Sequence, residues 1–139
     1  MIIKQLSIFL ENRTGRINEV TKILGANGIN MQAFSMAETA DFGILRLICE
    51  DVDKVNTVLK DDVEKAVEVL RAADFAVMLT DVLCVNCPNV PGALAEILDK
   101  LAEKRIFIEY MYAFSDSGSA NVIIRPDDIS AAMQVLSEV

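Results

Sequence analysis

The sequence predicts an α+β protein in which one βαββα module occurs twice. A loop of similar sequence recurs, first as Glu11–Ile17 and then as Pro88–Leu94. Its glycine is Gly15 in the first copy and Gly92 in the second, and we call the difference in numbering the repeat offset (92 − 15 = 77). Each loop follows a short apolar run and opens an amphipathic stretch, which is typical of a strand that leads into a helix. The chain is therefore a tandem repeat of one module.

The first copy begins with a strand and a helix. Apolar positions alternate over Ile2–Leu10, which indicates a strand. Apolar residues at helical spacing predict a helix from about Arg16 to Asn27, and Gly28 is a natural C-terminal stop. Two further apolar runs, Ile29–Ala37 and Phe42–Glu50, are predicted to pair as a hairpin.

A short internal repeat follows the hairpin, as Asp51–Lys60 and again as Asp62–Arg71 (62 − 51 = 11). This spacing is about three helical turns, so both copies present their apolar residues on one side. The pattern fits either one long helix or two helices. A strand at Phe75–Leu79 then leads almost without a linker into Val82–Cys87, the first strand of the second copy.

The second copy repeats the order of elements. A helix is predicted from about Pro91 to Lys104, because proline suits the first turn of a helix. Strands follow at Phe107–Phe114 and Ala120–Ile124, joined by a turn at 116–118, and a helix follows Pro126. No segment remains for a closing strand before residue 139. Either this module is truncated, or another subunit covers the sheet edge that it leaves.

This order is that of the ferredoxin-like fold, an antiparallel sheet with helices on one face. We expect two such modules, residues 1–80 (the first module) and 81–139 (the second module, curtailed at its C-terminal end). The sheet face away from the helices should be open. Phe107–Phe114 carries apolar residues on both faces, so we expect a partner to cover such a surface.

Composition narrows the possible functions. A formal net charge of −8 opposes binding to nucleic acid. No apolar run reaches the length of a membrane span, and the N-terminal segment lacks a basic leader, so we expect a cytoplasmic protein. The absence of histidine removes the commonest general base and metal ligand. No nucleophile and base occur at a credible spacing, so we expect neither enzyme activity nor a cofactor or metal.

The cysteines include one C-x-x-C pair, Cys84 and Cys87. Such a pair can hold zinc or form a redox couple. In a strand, however, residues three apart point to opposite faces and cannot share a ligand. A structural role is favoured.

The loop Glu11–Ile17, followed by Asn27-Gly28-Ile29-Asn30, resembles the effector loop and second strand of an ACT domain. The whole chain resembles stand-alone proteins built from two ACT domains, apart from the extra helical repeat at 51–61 and the missing last strand. ACT domains are regulatory modules that bind amino acids and related small molecules, commonly beside enzymes of amino-acid metabolism. The resemblance implies a non-catalytic sensor that works as a homo-oligomer, most simply a dimer, or on a separate metabolic enzyme.

The resemblance also implies a ligand site in the first module. In family members that bind serine or similar amino acids, one asparagine three positions before the glycine and another that opens the second strand hold the ligand across a domain interface. Here these positions match Asn12 and Asn30. A carboxamide can accept from an ammonium group and donate to a carboxylate, and N–H groups at a helix N-terminus attract the carboxylate. The predicted ligand-binding residues are Asn12, Arg13, Thr14, Gly15, Arg16, Ile17 and Asn30. The alternative is a purely structural role, in which the two asparagines only cap a turn and a strand.

The second module departs from this pattern. Its loop offers a second site or an interface, comprising Asn89, Val90, Pro91, Gly92 and Ala93. The position that opens its next strand is Phe107 (107 − 30 = 77) instead of asparagine. We therefore expect an altered or absent second site. This departure motivates the alternative function, an interaction module that keeps the fold and has lost its ligand.

Overall fold

A computed structural model describes residues 1–11, 13–38, 41–49, 60–116 and 118–137. The chain divides into two compact units. We call residues 4–80 the first unit, and residues 81–139 together with Met1–Ile3 the second unit. Within the described ranges, no helix is long and apolar enough to cross a membrane.

The first unit has the predicted order of elements. These are β1 (Ile2–Glu11), α1 (Arg16–Ala26), β2 (Ala33–Glu38), β3 (Phe42–Ile48), α2 (Lys60–Ala72) and the first part of β4 (Ala76–Pro88). The strands lie in the order β2-β3-β1-β4, and β3 is antiparallel to both of its neighbours. This arrangement is the predicted ferredoxin-like sheet.

Alternation along the strands places one set of apolar residues against the helices. Leu6 and Ile8 of β1 pair in register with Leu47 and Leu45 of β3. All four are fully buried, and they share a core cluster with residues of α1 and α2. Burial of one sheet face beneath the helices is what stabilises a sheet of this size.

The strand β2 begins at Ala33, later than the predicted Ile29. Ile29 is buried in the core, but its N–H donates to the carbonyl of Leu24 at 2.9 Å. Gly28 adopts a φ of 71°, which completes a glycine-dependent helix C-cap. Ile29 is therefore held against the end of α1, and the strand begins only after this cap.

The extra residues of the first module precede α2. Ala66 of α2 and Ala132 of α4 (Ile129–Ser137) are both fully buried. We treat these two alanines as equivalent positions of the two modules. Their residue numbers differ by 66 (132 − 66 = 66) and not by the repeat offset of 77, and the missing 11 residues (77 − 66 = 11) equal the spacing of the short internal repeat. The choice between one long helix and two concerns residues 51–59, which lie outside the described residues.

The predicted break between two strands near residue 80 is wrong. β4 is one strand of 13 residues, Ala76–Pro88, and it passes through Thr80 and Asp81 without interruption. The physical reason is that neither residue is a glycine or proline, and threonine is itself favoured in strands.

The second unit repeats the fold. After β4 come α3 (Ala93–Glu103), β5 (Ile108–Asp116), β6 (Ser119–Pro126) and α4, with strand order β4-β6-β5. Strand register follows the repeat, because Leu10 pairs with Gly43 in the first unit and Cys87 with Ala120 in the second. The predicted helix is α3, and it begins at Ala93, two residues after the predicted start at about Pro91. Gly92 is the N-cap of α3 and adopts a left-handed conformation, so Pro91 lies before the helix and not in its first turn.

The beginning of the chain supplies a neighbour to the second unit. The N–H of Cys84 donates to the carbonyl of Met1 at 2.8 Å, and the amino group of Met1 donates to the carbonyl of Cys84 at 3.4 Å. This exchange is that of an antiparallel hydrogen-bonded pair. Ile3 is only 3% exposed. The edge beside β4 is therefore paired within the chain, which contradicts the alternative that another subunit covers it.

The predicted open sheet face is also wrong. Gln5, Ser7 and Ile48 lie on the face opposite the helices in the first unit, and each is buried. Cys84 and Ile123 pair on the corresponding face of the second unit, and both are buried. These positions need no second subunit to cover them, because they are buried within one chain.

The C-x-x-C pair has the predicted geometry. Cys87 belongs to the helix-side core of the second unit, whereas the face opposite the helices carries Cys84. Neither cysteine forms a disulfide, and both side chains are buried. The two side chains do not share a ligand site.

Candidate functional site

A pocket of about 350 Å³ lies in the first unit, where β1 ends, α1 begins and the hairpin of β2 and β3 turns. Its polar lining consists of Glu11, Arg13, Thr14, Arg16 and Glu38. Its apolar lining consists of Leu10, Ile17, Met36 and Gly43. This volume is at the lower end of the range for ligand pockets, so the space suits a small molecule.

The pocket floor is built by strand register. Leu10 and Glu38 both pair with Gly43, so the three residues form one row across β1, β3 and β2. A Cβ added at Gly43 would lie 3.5 Å from the Cε of Met36 and 4.0 Å from the Cβ of Leu10. Further along the same face of β3, Leu45 fills the core. The pocket therefore exists where a glycine interrupts the apolar packing of the sheet.

The wall opposite the floor is the N-terminus of α1. Gly15 is the N-cap, with a φ of 97°, and its carbonyl accepts from the N–H of Glu19 at 3.0 Å. No side chain of the described residues caps this helix. The first N–H groups of a helix have no partner within it. They and the positive end of the helix dipole form a site for an anion.

Arg16 is fixed at this N-terminus by three groups. Its guanidinium lies 2.6 Å from a carboxylate oxygen of Glu19, 3.9 Å from one of Glu11, and 4.2 Å from the ring centre of Phe75. Its side chain is only 11% exposed. The buried Nε finds no hydrogen-bond partner among the described residues. Arg16 thus contributes a positive charge whose position the fold sets.

The remaining charges differ in how they are compensated. Arg13 lies 3.4 Å from Glu11, so Glu11 faces two guanidinium groups. Within the part of the chain that the structure describes, Glu38 makes no ion pair. An uncompensated carboxylate at the floor is a place for a cationic group of a ligand.

The pocket brings together most of the residues predicted for the first site. Arg13, Thr14, Arg16 and Ile17 line it, and Gly15 caps the helix beside it. Asn12 lies outside the described residues. Asn30 is exposed and is not part of the lining.

Sequence reasoning missed the contribution of the hairpin. Met36, Glu38 and Gly43 enter the pocket through pairing between strands, which a reading of one loop does not reveal. One signal was available, because an isolated glycine within a strand often marks a close approach or a gap. Gly43 is such a glycine.

The second predicted site has the same backbone and different side chains. Gly92 caps α3 with a φ of 88°, as Gly15 caps α1. Asn89, Val90 and Pro91 are exposed, and Ala93 is half-buried. The exposed Phe107 donates its N–H to Asp127 at 3.1 Å.

Two ferredoxin-like modules in tandem, each with a glycine-capped loop at a helix N-terminus, define a class of small-molecule regulatory protein. The chain belongs to the ACT family: the profile of the ACT domain pair matches residues 1–138. This match confirms the resemblance seen in the sequence.

Solved structures share the fold of this chain. A crystal structure of a Bacteroides thetaiotaomicron protein is 48% identical to the chain, with a TM-score of 0.85, covering 99% of this chain and 88% of the other. The ligand-free regulatory subunit of aspartate kinase from Thermus thermophilus is 17% identical, with a TM-score of 0.67, covering 99% and 96%. The Thermus flavus subunit is 16% identical, with a TM-score of 0.62, covering 99% and 94%. The two Thermus structures share the fold alone. No curated protein matches the chain.

Proposed function

We propose that this protein is a non-catalytic sensor that binds an amino acid in the pocket of the first unit. The observation that carries the proposal is the pocket of about 350 Å³ at the uncapped N-terminus of α1, lined by Arg13, Thr14, Arg16 and Ile17. The helix N-terminus and Arg13 receive the ligand carboxylate. Membership of the ACT family supports the choice of an amino acid.

We propose that Asn12 and Asn30 also contact the ligand, but from two different copies of the chain. Asn30 opens the segment before β2, whereas the pocket lies at the other end of that strand. Asn30 therefore contacts the ligand from a second copy of the chain, in a homodimer, while Asn12 acts from the loop itself. The second loop, at Asn89–Ala93, serves as an altered site or an interface.

Regulation requires that the ligand prefers one state of the protein over another. We propose that binding changes the assembly of the protein or its docking on an enzyme of amino-acid metabolism in the cytoplasm. The Thermus structures belong to regulatory subunits of such an enzyme, aspartate kinase, and they support this class of partner through the shared fold alone. Neither nucleic acid nor a membrane takes part.

A second candidate function is an interaction module without a ligand. Phe34 and Met36 lie on the edge strand β2, and they are 63% and 55% exposed. Phe107 is 67% exposed where the first module has Asn30. Exposed apolar groups on a sheet edge favour association with another protein.

A thermal-shift screen of the chain with the twenty amino acids distinguishes the two functions. A ligand at about a hundred times its Kd adds roughly 2.7 kcal/mol to the free energy of unfolding, which raises Tm by several degrees. The sensor predicts a shift for one or a few amino acids, reduced in both Asn12→Ala and Asn30→Ala. A stable oligomer that shifts with none of the twenty would favour the interaction module.

A further inference from the structure

We infer that the pocket selects a zwitterionic amino acid with an uncharged, apolar side chain, of the aliphatic or thioether class. This inference rests on the proposed function and adds the chemistry of the ligand. It follows from the charged groups of the pocket, from its apolar lining and from the glycine at its floor.

The charged groups suit both ends of a zwitterion. The N-terminus of α1 and the Arg13 guanidinium both attract a carboxylate. Glu38 extends from the edge strand of the floor and makes no ion pair with any described residue. An ammonium group that meets Glu38 forms a charge-assisted hydrogen bond. Glu11 is less suited to this part, because Arg13 and Arg16 already lie 3.4 and 3.9 Å from it.

The apolar part of the lining is formed by Leu10, Ile17 and Met36, and Gly43 leaves space beside them. A ligand side chain placed there contacts the hydrocarbon of Leu10 and Ile17 and the thioether of Met36. An aliphatic or thioether side chain gains about 25 cal/mol for each Å² that it buries. A charged side chain loses part of its hydration against these apolar groups.

The second module provides an internal comparison. At the repeat offset, Arg13 becomes Val90, and Glu38 becomes Ser115 (90 − 13 = 77; 115 − 38 = 77). Gly43 becomes Ala120, which has the same strand register, since Leu10 pairs with Gly43 and Cys87 with Ala120. The backbone is retained, with Gly92 as the N-cap, while both charges are lost. The first pocket therefore has charges for a zwitterion that its own duplicate lacks.

The test is isothermal titration calorimetry of the full chain with L-leucine, L-isoleucine, L-valine and L-methionine, compared with L-serine, L-aspartate and L-lysine. N-acetyl-L-leucine is a further probe, because it keeps the carboxylate and side chain but has no ammonium group. We expect the apolar amino acids to bind at least about tenfold more tightly than the polar and charged ones. We expect N-acetyl-L-leucine to bind about tenfold more weakly than L-leucine.

Variants locate the binding. Glu38→Gln should weaken L-leucine about tenfold and leave N-acetyl-L-leucine unchanged, because only the former has an ammonium group. Gly43→Ala should weaken L-leucine, and Gly43→Val should abolish its binding by filling the floor. The matched control is Ala120→Val, which should bind L-leucine as the natural chain does. Far-UV circular dichroism establishes that each variant is folded, and Gly43→Ala adds only one methyl group at an ordinary contact distance.

Three results would overturn the inference. Tighter binding of serine, aspartate or lysine than of the apolar amino acids, still blocked by Gly43→Val, would refute the ligand class and leave the sensor function standing. Binding of L-leucine that is blocked by Ala120→Val but not by Gly43→Val would place the site in the second unit, and would refute both the inference and the proposed location of the sensor site. Failure of all twenty amino acids to bind the natural chain would refute the inference and the proposed function together.

Discussion

Replacing Ile3 by alanine should destabilise the second unit, although Ile3 is far in sequence from the strand beside it. Ile3 is 3% exposed and belongs to the compact unit formed by residues 81–139. The change removes three buried carbon atoms, which at about 0.8 kcal/mol each amounts to roughly 2.4 kcal/mol. The residual cavity raises the expected loss to about 2–5 kcal/mol. Ile2→Ala is the matched control, because Ile2 is 45% exposed and should lose under about 1 kcal/mol.

Urea unfolding measured by tyrosine fluorescence suits this comparison. The chain has two tyrosines and no tryptophan. Both tyrosines, Tyr110 and Tyr112, lie in β5, so their signal reports the second unit. With a slope of about 2 kcal/mol/M, a loss of about 2–5 kcal/mol lowers the midpoint by about 1–2.5 M. Equal midpoints for Ile3→Ala and Ile2→Ala would refute the conclusion that the start of the chain stabilises the second unit.

Two further predictions concern the site itself. Gly15→Ala should lose about 1–2 kcal/mol of unfolding free energy, because Gly15 has a φ of 97° and no atom lies within 4 Å of the added Cβ. Gly25→Ala, within α1, should instead gain about 0.5–1 kcal/mol. Equal effects of the two substitutions in thermal unfolding would contradict the assignment of strain to Gly15. Arg16→Met keeps the apolar stem but loses the ion pairs and the ring contact, so it should lose about 1–2 kcal/mol. Unchanged urea unfolding of Arg16→Met would show that these contacts do not stabilise the loop.

Local patterns predicted the parts of the fold that depend on local interactions. The strand register, the bounds of α1 and α3 and the glycine N-caps each recur in the second module at the repeat offset of 77. The helix predicted from Arg16 to Asn27 ends at Ala26, with Asn27 as its cap. Such features follow from residues close together in the chain, where capping and periodicity act.

The features that the sequence did not predict depend on distant contacts. The pairing of Met1 with Cys84 joins residues 83 apart, and nothing in either segment signals it. The floor of the pocket likewise depends on the register that places Glu38 beside Gly43 and Leu10. A loop pattern identifies where an anion can bind, but only strand pairing determines which side chains complete the pocket.

The most direct test of the central claim is a ¹⁵N chemical-shift titration of the full chain with the amino acid that gives the largest thermal shift. Glycine amides serve as paired reporters, because Gly15 and Gly92 cap equivalent helices in the two modules. Binding in the first pocket predicts concentration-dependent shifts of the Gly15 and Gly43 amides, with Gly92 unchanged. Shifts confined to Gly92 and its neighbours, or no shift with any of the twenty amino acids, would contradict the claim that the first unit binds an amino acid.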